Sequence, residues 1–174
     1  LINDAAAALL RASTVGATYD EVNPYAFEPA IAPHLAARQV GVTIDRAHIR
    51  ANYASLGARA DFVVVEGAGG WLVPLDSDST MADVAGDLGL PIVLVVGMRL
   101  GCINHALLTA RAILAGGQRL AGWVANDPER AMPEREASVA AIAERVAAPC
   151  IADLAFGAEP SLEAIASHCL AIRF

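Results

Sequence analysis

The chain has 174 residues, 56% of them hydrophobic, and a formal net charge of −7. All 12 basic residues are arginine, so the chain holds no ammonium group for a Schiff base, a lysine general base or the lysine of a phosphate-binding P-loop. An acidic chain without a basic run is also a poor partner for nucleic acid or an anionic membrane surface. Its length fits one domain over residues 1–174.

The remaining composition points to a globular protein of a reducing compartment. The longest apolar run, from Leu90 to Met98, is interrupted by proline and glycine and is far shorter than the roughly 20 residues that span a bilayer. Three cysteines are scattered without the spacing of a metal site or a disulfide framework. The start lacks the basic region and the cleavage site of a secretory signal, so we expect a cytoplasmic protein.

Two signals divide the chain into elements. Continuous apolar runs such as Val64-Val65 suit parallel strands covered on both faces, and glycine after a helical stretch, as at Gly89, is a common stop. In chain order, the predicted elements are a helix from Asn3-Asp4, an irregular stretch over residues 13–33, a helix over 45–56 ending at Gly57, a strand over 61–66, a helix over 80–88, a strand over 90–96, a helix over 103–114, a strand over 120–125, a helix over 134–146, a strand over 150–154 and a helix behind Ser161.

Strands that alternate with helices predict an α/β fold with a doubly wound, mostly parallel sheet. In such sheets ligands bind beyond the carboxyl ends of the strands. The informative segments are therefore those that follow the apolar runs, namely residues 66–71, 97–105 and 126–128.

Glu66 stands at the end of the first run and is followed by a glycine-rich turn. P-loop ATPases hold Mg²⁺ from this position, while the glycines let phosphates approach the backbone. The alternative is a strand-end carboxylate that caps the turn, with glycine supplying a positive φ. The flanking small residues favour the ligand-binding interpretation.

The segment Gly101-Cys102-Ile103-Asn104 opens a predicted helix, whose free N–H groups and dipole can hold a carboxylate or phosphate. Every helix that follows a strand begins in this way, so the pattern alone is weak. Neighbouring residues on a helix point in different directions, so we expect structural roles rather than a Cys/His pair for Cys102 and His105.

Asn126-Asp127 follows the third run, and an amide there offers the donor and acceptor that an adenine edge requires. Spacing alone favours an Asx turn before Pro128. By the same standard, Asp4 is a helix N-cap, His34 marks a helix start and Arg99 is a solvated loop residue.

Taken together, these segments closely resemble dethiobiotin synthetase, in order and with similar spacing, from Asn3-Asp4 to about Pro160. The motifs that carry the resemblance are Asn23-Pro24-Tyr25-Ala26-Phe27, Pro33-His34, Val65-Glu66-Gly67-Ala68-Gly69-Gly70-Trp71, Gly101-Cys102-Ile103-Asn104-His105 and Gly122-Trp123-Val124-Ala125-Asn126-Asp127.

The resemblance implies a site, residue by residue, on a fold of the P-loop NTPase type. Asp4 and Glu66 would be metal ligands beside the nucleotide phosphates, with Glu66 also catalytic. The remaining implied ATP-binding residues are Gly67, Ala68, Gly69, Asn126, Asp127, Ala155, Phe156 and Gly157. Those implied to bind the substrate carboxylate, across a homodimer interface, are Gly101, Cys102, Ile103 and Asn104.

The family closes the ureido ring of dethiobiotin from 7,8-diaminopelargonate, CO₂ and ATP with Mg²⁺. Its phosphate loop and catalytic lysine precede the point where the resemblance begins, at Asp4, so we expect an N-terminally incomplete and inactive chain. Where the family can carry a tyrosine that reaches the partner's substrate, this chain has Glu136-Ala137-Ser138. The alternatives are a non-catalytic remnant that binds a ligand and a relative of the cobyrinic-acid synthases.

Overall fold

The computed structural model describes residues 3–129 and 132–157. Its elements are α1 (Asp4–Ala12), α2 (Tyr19–Val22), α3 (Pro33–Gln39), α4 (Arg46–Gly57), α5 (Met81–Leu88), β1 (Ile92–Gly97), α6 (Cys102–Ala115), β2 (Leu120–Asn126), α7 (Arg135–Ala143) and β3 (Cys150–Leu154). They form two compact units divided between Leu88 and Gly89, and the single domain expected from length stays a prediction. No helix within the described ranges is long and apolar enough to cross a membrane.

The second unit carries a parallel sheet with the strand order β1-β2-β3. α6 lies between β1 and β2 in the chain, and α7 lies between β2 and β3, as the alternating pattern predicts. The central strand is buried along most of its length, and the largest fully buried side chains among the described residues are Trp123, Ile113 and Ile142. The predicted α/β class with a parallel sheet is therefore confirmed.

Gly122 lies where the central strand approaches β3. A Cβ atom at this position would be 2.7 Å from Ile151 Cγ2 and 3.3 Å from the Pro149 carbonyl oxygen. We expect Gly122→Ala to lower the free energy of unfolding by about 1–3 kcal/mol, because the added methyl group must displace a packed neighbour. Urea unfolding followed by circular dichroism measures the loss. Gly16→Ala is the control, since nothing lies within 4 Å of a Cβ atom there; equal effects of the two changes would contradict the prediction.

The first unit has its own core, formed by Ala37, Ile44, Leu75 and Val84. Tyr25 and Phe27 from the Asn-Pro-Tyr motif pack against this core. The Tyr25 hydroxyl also accepts a hydrogen bond from the Asp45 backbone N–H at 2.9 Å, one residue before α4 begins. The motif is therefore part of the packing that fixes the start of α4.

The start of α1 differs from the reading of Asp4 as its N-cap. The N-cap is Asn3, whose Oδ1 accepts from the Ala6 N–H at 3.1 Å, and Asp4 is the first helical residue. The Tyr19 hydroxyl accepts from the Asn3 backbone N–H at 2.8 Å and from Asn23 Nδ2 at 3.0 Å. Asp4 thus places a carboxylate in the first turn of a helix, where the dipole stabilises negative charge.

The predicted strand over residues 61–66 is wrong: the structure assigns no strand there. Phe62, Val64 and Val65 are exposed, at 62%, 70% and 43%. An apolar run indicates that a segment can be buried, but a strand also needs a neighbouring backbone to complete its ladder, and composition carries no information about that neighbour.

Other boundaries differ by one or a few residues. Asp45 caps α4 by accepting from the Ala47 N–H at 2.8 Å, and Gly57 is the last helical residue rather than the stop after it. The predicted irregular stretch contains the short helix α2, and α3 places Pro33-His34 at its start, as expected. The helix predicted behind Ser161 lies outside the described residues.

Acid should destabilise the first unit through carboxylates that accept hydrogen bonds at helix starts and turns. The Thr80 hydroxyl and backbone N–H both donate to Asp83 Oδ2 at 2.7 Å, and these bonds lower the pKa of Asp83. Because the folded pKa is depressed, this stability is present above the unfolded pKa and is lost as pH falls through the folded pKa. The pKa values of Glu21 and Asp76 are lowered in the same way, first by backbone hydrogen bonds from Thr18 and Asp78.

We therefore expect the urea midpoint to fall as pH drops below about 4, the usual range of an aspartate. Asp83→Asn should make that fall shallower. Asp61→Asn should not, since Asp61 is exposed and accepts no hydrogen bond from the described residues. Urea titrations at a series of pH values test this, and identical slopes for the two variants would refute it.

Candidate functional site

The candidate residues fall into two groups, one in each unit. Asp4, Glu66 and the glycine-rich turn belong to the first unit, and the helix start at Gly101 and the segments after β2 and β3 belong to the second. The groups differ in character: the first is exposed loop and helix start, while the second is built on a sheet edge.

In the first group, Glu66 is exposed, and its carboxylate has no hydrogen-bond or ion-pair partner among the described residues. The turn that follows needs glycine: Gly69 has φ 79°, and a Cβ atom there would lie 3.0 Å from Val73 Cγ2. A Cβ atom on Gly67 would lie 3.1 Å from Met81 Cγ. The turn thus places the Glu66 carboxylate, which has no partner among the described residues, beside glycines whose missing side chains leave room for Met81 and Val73.

The carboxylates of Asp4 and Glu66 are oxygen donors of the kind that Mg²⁺ prefers, and both residues are exposed. Within the described ranges, no group of three or more histidine, cysteine, aspartate or glutamate side chains could hold a metal ion. Two exposed carboxylates fit Mg²⁺, which commonly binds through one or two carboxylates together with substrate phosphates and water.

In the second group, the parallel sheet brings the strand ends to one edge. Gly97 is in register with Asn126, and Asn126 is in register with Leu154. The Asp127 N–H donates to the Leu154 carbonyl oxygen at 2.9 Å, so the segment after β2 lies directly beside the segment after β3. The latter contains Ala155, Phe156, which is 57% exposed, and Gly157, which has φ 69°.

The start of α6 lies on the chain that leaves the same edge from β1. Gly101 precedes the helix in a left-handed conformation with φ 94°, and no side chain caps the helix. The N–H groups of Ile103 and Asn104 have no partner among the described residues, so they are available to an anion. Cys102 is 2% exposed as a whole residue, and its backbone N–H donates to the Arg99 carbonyl oxygen at 2.9 Å, so it presents almost no surface to a ligand.

A buried ion pair follows β2. The side chain of Asp127 is only 2% exposed, and both its oxygens accept from Arg135 Nε, at 2.7 and 2.8 Å. Arg135 Nη1 donates to Asp153 Oδ2 at 3.2 Å, and Nη2 pairs with Asp153 Oδ1. These hydrogen bonds, first those to Asp153 and then those to Asp127, raise the pKa of Arg135.

Sequence reasoning did not single out Arg135 and Asp153, which form this ion-pair network with Asp127. A signal was present, because an aspartate directly after a buried strand needs a cation or several donors to compensate its burial. The half-buried Asn126 amide, in contrast, has no hydrogen-bond partner among the described residues. The base-reading role that the resemblance implies for Asn126 stays a prediction.

Comparison of the sequence with known proteins finds a matching family model and named relatives. Residues 3–161 match the model of a family described as AAA domain. The ATP-dependent dethiobiotin synthetase BioD of Pseudomonas paraeruginosa is 52% identical over 169 residues, which cover 97% of this chain and 74% of that protein. Proteins of the same name from Cellvibrio japonicus and Xanthomonas campestris are 47% and 45% identical, over 97% and 95% of this chain and 74% of each relative.

The domain match agrees with the parallel sheet and with the P-loop NTPase type of fold that the resemblance implied. The identity extends over nearly the whole chain and most of each relative. The chain therefore belongs to the dethiobiotin synthetase family.

Proposed function

We propose that this protein takes part in biotin biosynthesis by closing the ureido ring of dethiobiotin from 7,8-diaminopelargonate, CO₂ and ATP. The observation that carries the proposal is the 52% identity, over 97% of the chain, to a protein named ATP-dependent dethiobiotin synthetase. The free Asn126 amide and the uncapped start of α6 supply the two recognition features that a nucleotide and a carboxylate substrate need.

The reaction has three steps. One amine of the substrate attacks CO₂ and loses a proton, which gives a carbamate. A carbamate oxygen then attacks the γ-phosphorus of ATP, and ADP leaves. The second amine attacks the carbonyl carbon of this mixed anhydride, the bond to the phosphate oxygen breaks, and phosphate and a proton are released as the ring closes. Such phosphoryl transfer depends mainly on positioning and on stabilising negative charge.

In this proposal Glu66 and Asp4 would hold Mg²⁺, which would offset negative charge on the phosphoryl oxygens when bound. Gly67, Ala68 and Gly69 provide backbone that lies close to the nucleotide. The adenine base lies along the sheet edge formed by Asn126, Asp127 and the segment Ala155-Phe156-Gly157. Free N–H groups at Ile103 and Asn104 support the binding of the substrate carboxylate at the start of α6.

We further propose a cytoplasmic homodimer in which that carboxylate is bound across the interface. Size-exclusion chromatography with light scattering measures the oligomeric state. The chain of 174 residues does not by itself turn over ATP in this proposal, because it has no lysine side chain to bind the β- and γ-phosphates.

The test compares this chain with a phosphate-loop fusion, in which the Gly-Lys-Thr segment of the family precedes residue 1. Both are incubated with 7,8-diaminopelargonate, bicarbonate, ATP and MgCl₂, and dethiobiotin is detected by mass spectrometry. We expect dethiobiotin from the fusion and none from the chain of 174 residues, and we expect the fusion to make less of it without MgCl₂. A folded fusion that makes no dethiobiotin would refute the function, and product from the lysine-free chain would refute its inactivity.

A further inference from the structure

We infer that Arg135 is a positioning residue for nucleotide recognition: it fixes Asp127 and thereby holds the neighbouring Asn126 amide in place to meet the base. The inference rests on the proposed function, which makes ATP the ligand. It also divides the Asn126-Asp127 segment into two roles, since Asn126 contacts the ligand and Asp127 supports the backbone that carries Asn126.

The geometry links three elements through one side chain. Arg135 is the first residue of α7, Asp127 directly follows β2, and Asp153 lies within β3. Nε bonds both oxygens of Asp127, at 2.7 and 2.8 Å, and Nη1 bonds Asp153 Oδ2 at 3.2 Å. The guanidinium carries five N–H donors in a rigid fork, so one arginine can hold two carboxylates in a fixed relation.

Burial makes this arrangement hard to replace. The Asp127 side chain is 2% exposed and the Arg135 side chain 16%, so the Asp127 charge depends on Arg135 for compensation. Without Arg135, the carboxylate would have to reach water, and the backbone would move with it. That movement would strain the bond from the Asp127 N–H to the Leu154 oxygen and the bond from the Met98 N–H to the Asn126 oxygen.

The same burial separates the two residues functionally. Both oxygens of Asp127 are engaged and covered, which leaves them inaccessible to a base. Asn126 is half-buried, and no described residue bonds its amide. A base that approaches this edge therefore meets the amide of Asn126, whose position depends on the ion pair between Arg135 and Asp127.

If the Asn126 amide moves, ATP should bind more weakly, but phosphoryl transfer should not slow, because the adenine base does not react. In the phosphate-loop fusion, we expect Arg135→Met to raise KM for ATP about tenfold and leave kcat within about twofold, the pattern of lost uniform binding. Asp153→Asn, which keeps the Asp127 pair, should raise KM by about threefold. Arg135→Lys should not rescue, since one ammonium cannot reproduce the fork.

A second measurement uses the chain of 174 residues itself and needs no ligand. Hydrogen exchange followed by mass spectrometry reports the Asp127 N–H that bonds Leu154, and Arg135→Met should speed its exchange at least fivefold. Arg145→Met is the matched control for both measurements, because Arg145 pairs with Glu144 on the surface, with side chains 53% and 69% exposed. It should change neither exchange nor KM.

Unchanged exchange at Asp127 in Arg135→Met would overturn the inference, as would faster exchange with an unchanged KM for ATP. If Arg135→Met does not fold, Asp153→Asn decides: an unchanged KM then overturns the inference. An unmodified fusion that makes no dethiobiotin contradicts the proposed function instead, and hydrogen exchange still reports whether Arg135 fixes the Asp127 backbone.

Discussion

Glu66→Gln should lower the rate of dethiobiotin formation by the phosphate-loop fusion by about 100-fold or more. Glu66 is exposed and has no protein partner among the described residues, so the substitution removes a charge that is free for a metal ion and breaks no internal contact. The neutral amide keeps the size of the side chain but cannot balance the charge of Mg²⁺. Initial rates at saturating ATP, with and without added MgCl₂, measure the effect.

Cys102→Ala is the control for this prediction. Cys102 begins the helix of the proposed substrate site but is 2% exposed, so its thiol is covered and does not reach the substrate. The alanine variant should retain activity within about threefold. Equal rates for Glu66→Gln and the unmodified fusion would contradict the metal-binding role of Glu66, and the thermal midpoint of each variant shows whether the fold is intact.

Trp123→Ala should lower the free energy of unfolding by about 3–5 kcal/mol, the typical cost of a large cavity in a core. Trp123 lies in the middle of β2, is fully buried, and is paired with Leu94 on one neighbouring strand and Cys150 on the other. Its loss therefore empties the centre of the sheet's packing. Urea unfolding followed by circular dichroism measures the change.

Trp123→Phe separates packing from polarity at this position. The indole Nε1 is buried and has no hydrogen-bond partner among the described residues. Phenylalanine leaves a smaller cavity and removes that unpaired donor, so the two effects oppose each other and the net cost should be about 1 kcal/mol. If both substitutions cost the same, the packing interpretation fails. Val95→Ala, on a side chain that is 60% exposed, is the control for a small effect.

Patterns local in sequence predicted most of the second unit. The three strands there begin and end within two residues of the apolar runs in the sequence. Each of these runs pairs with the strand that precedes or follows it in the chain, so its partner is close in sequence. Gly89 and Gly101 both adopt the positive φ that their place at a helix end or start suggests. The positions of Asn126 and Phe156 on one sheet edge also follow from parallel pairing.

What could not be predicted depends on partners far away in the chain. The segment over residues 61–66 has the composition of a buried strand, but composition does not say which backbone completes a ladder. Asp127 reads as a turn residue or a base contact, and only the fold shows that Arg135 compensates its charge. Hydrophobic periodicity carries no information about such pairs.

The strand order also has a consequence for how the chain folds. β1, β2 and β3 pair in the order of the sequence. Each pairing therefore closes only the loop that contains one connecting helix, and it joins segments that follow each other in the chain. The entropy lost in closing each loop is therefore small compared with that of a sheet with interleaved strands. In refolding experiments with pulsed hydrogen exchange, amides of β2, which has a neighbour on each side, should be protected early and together.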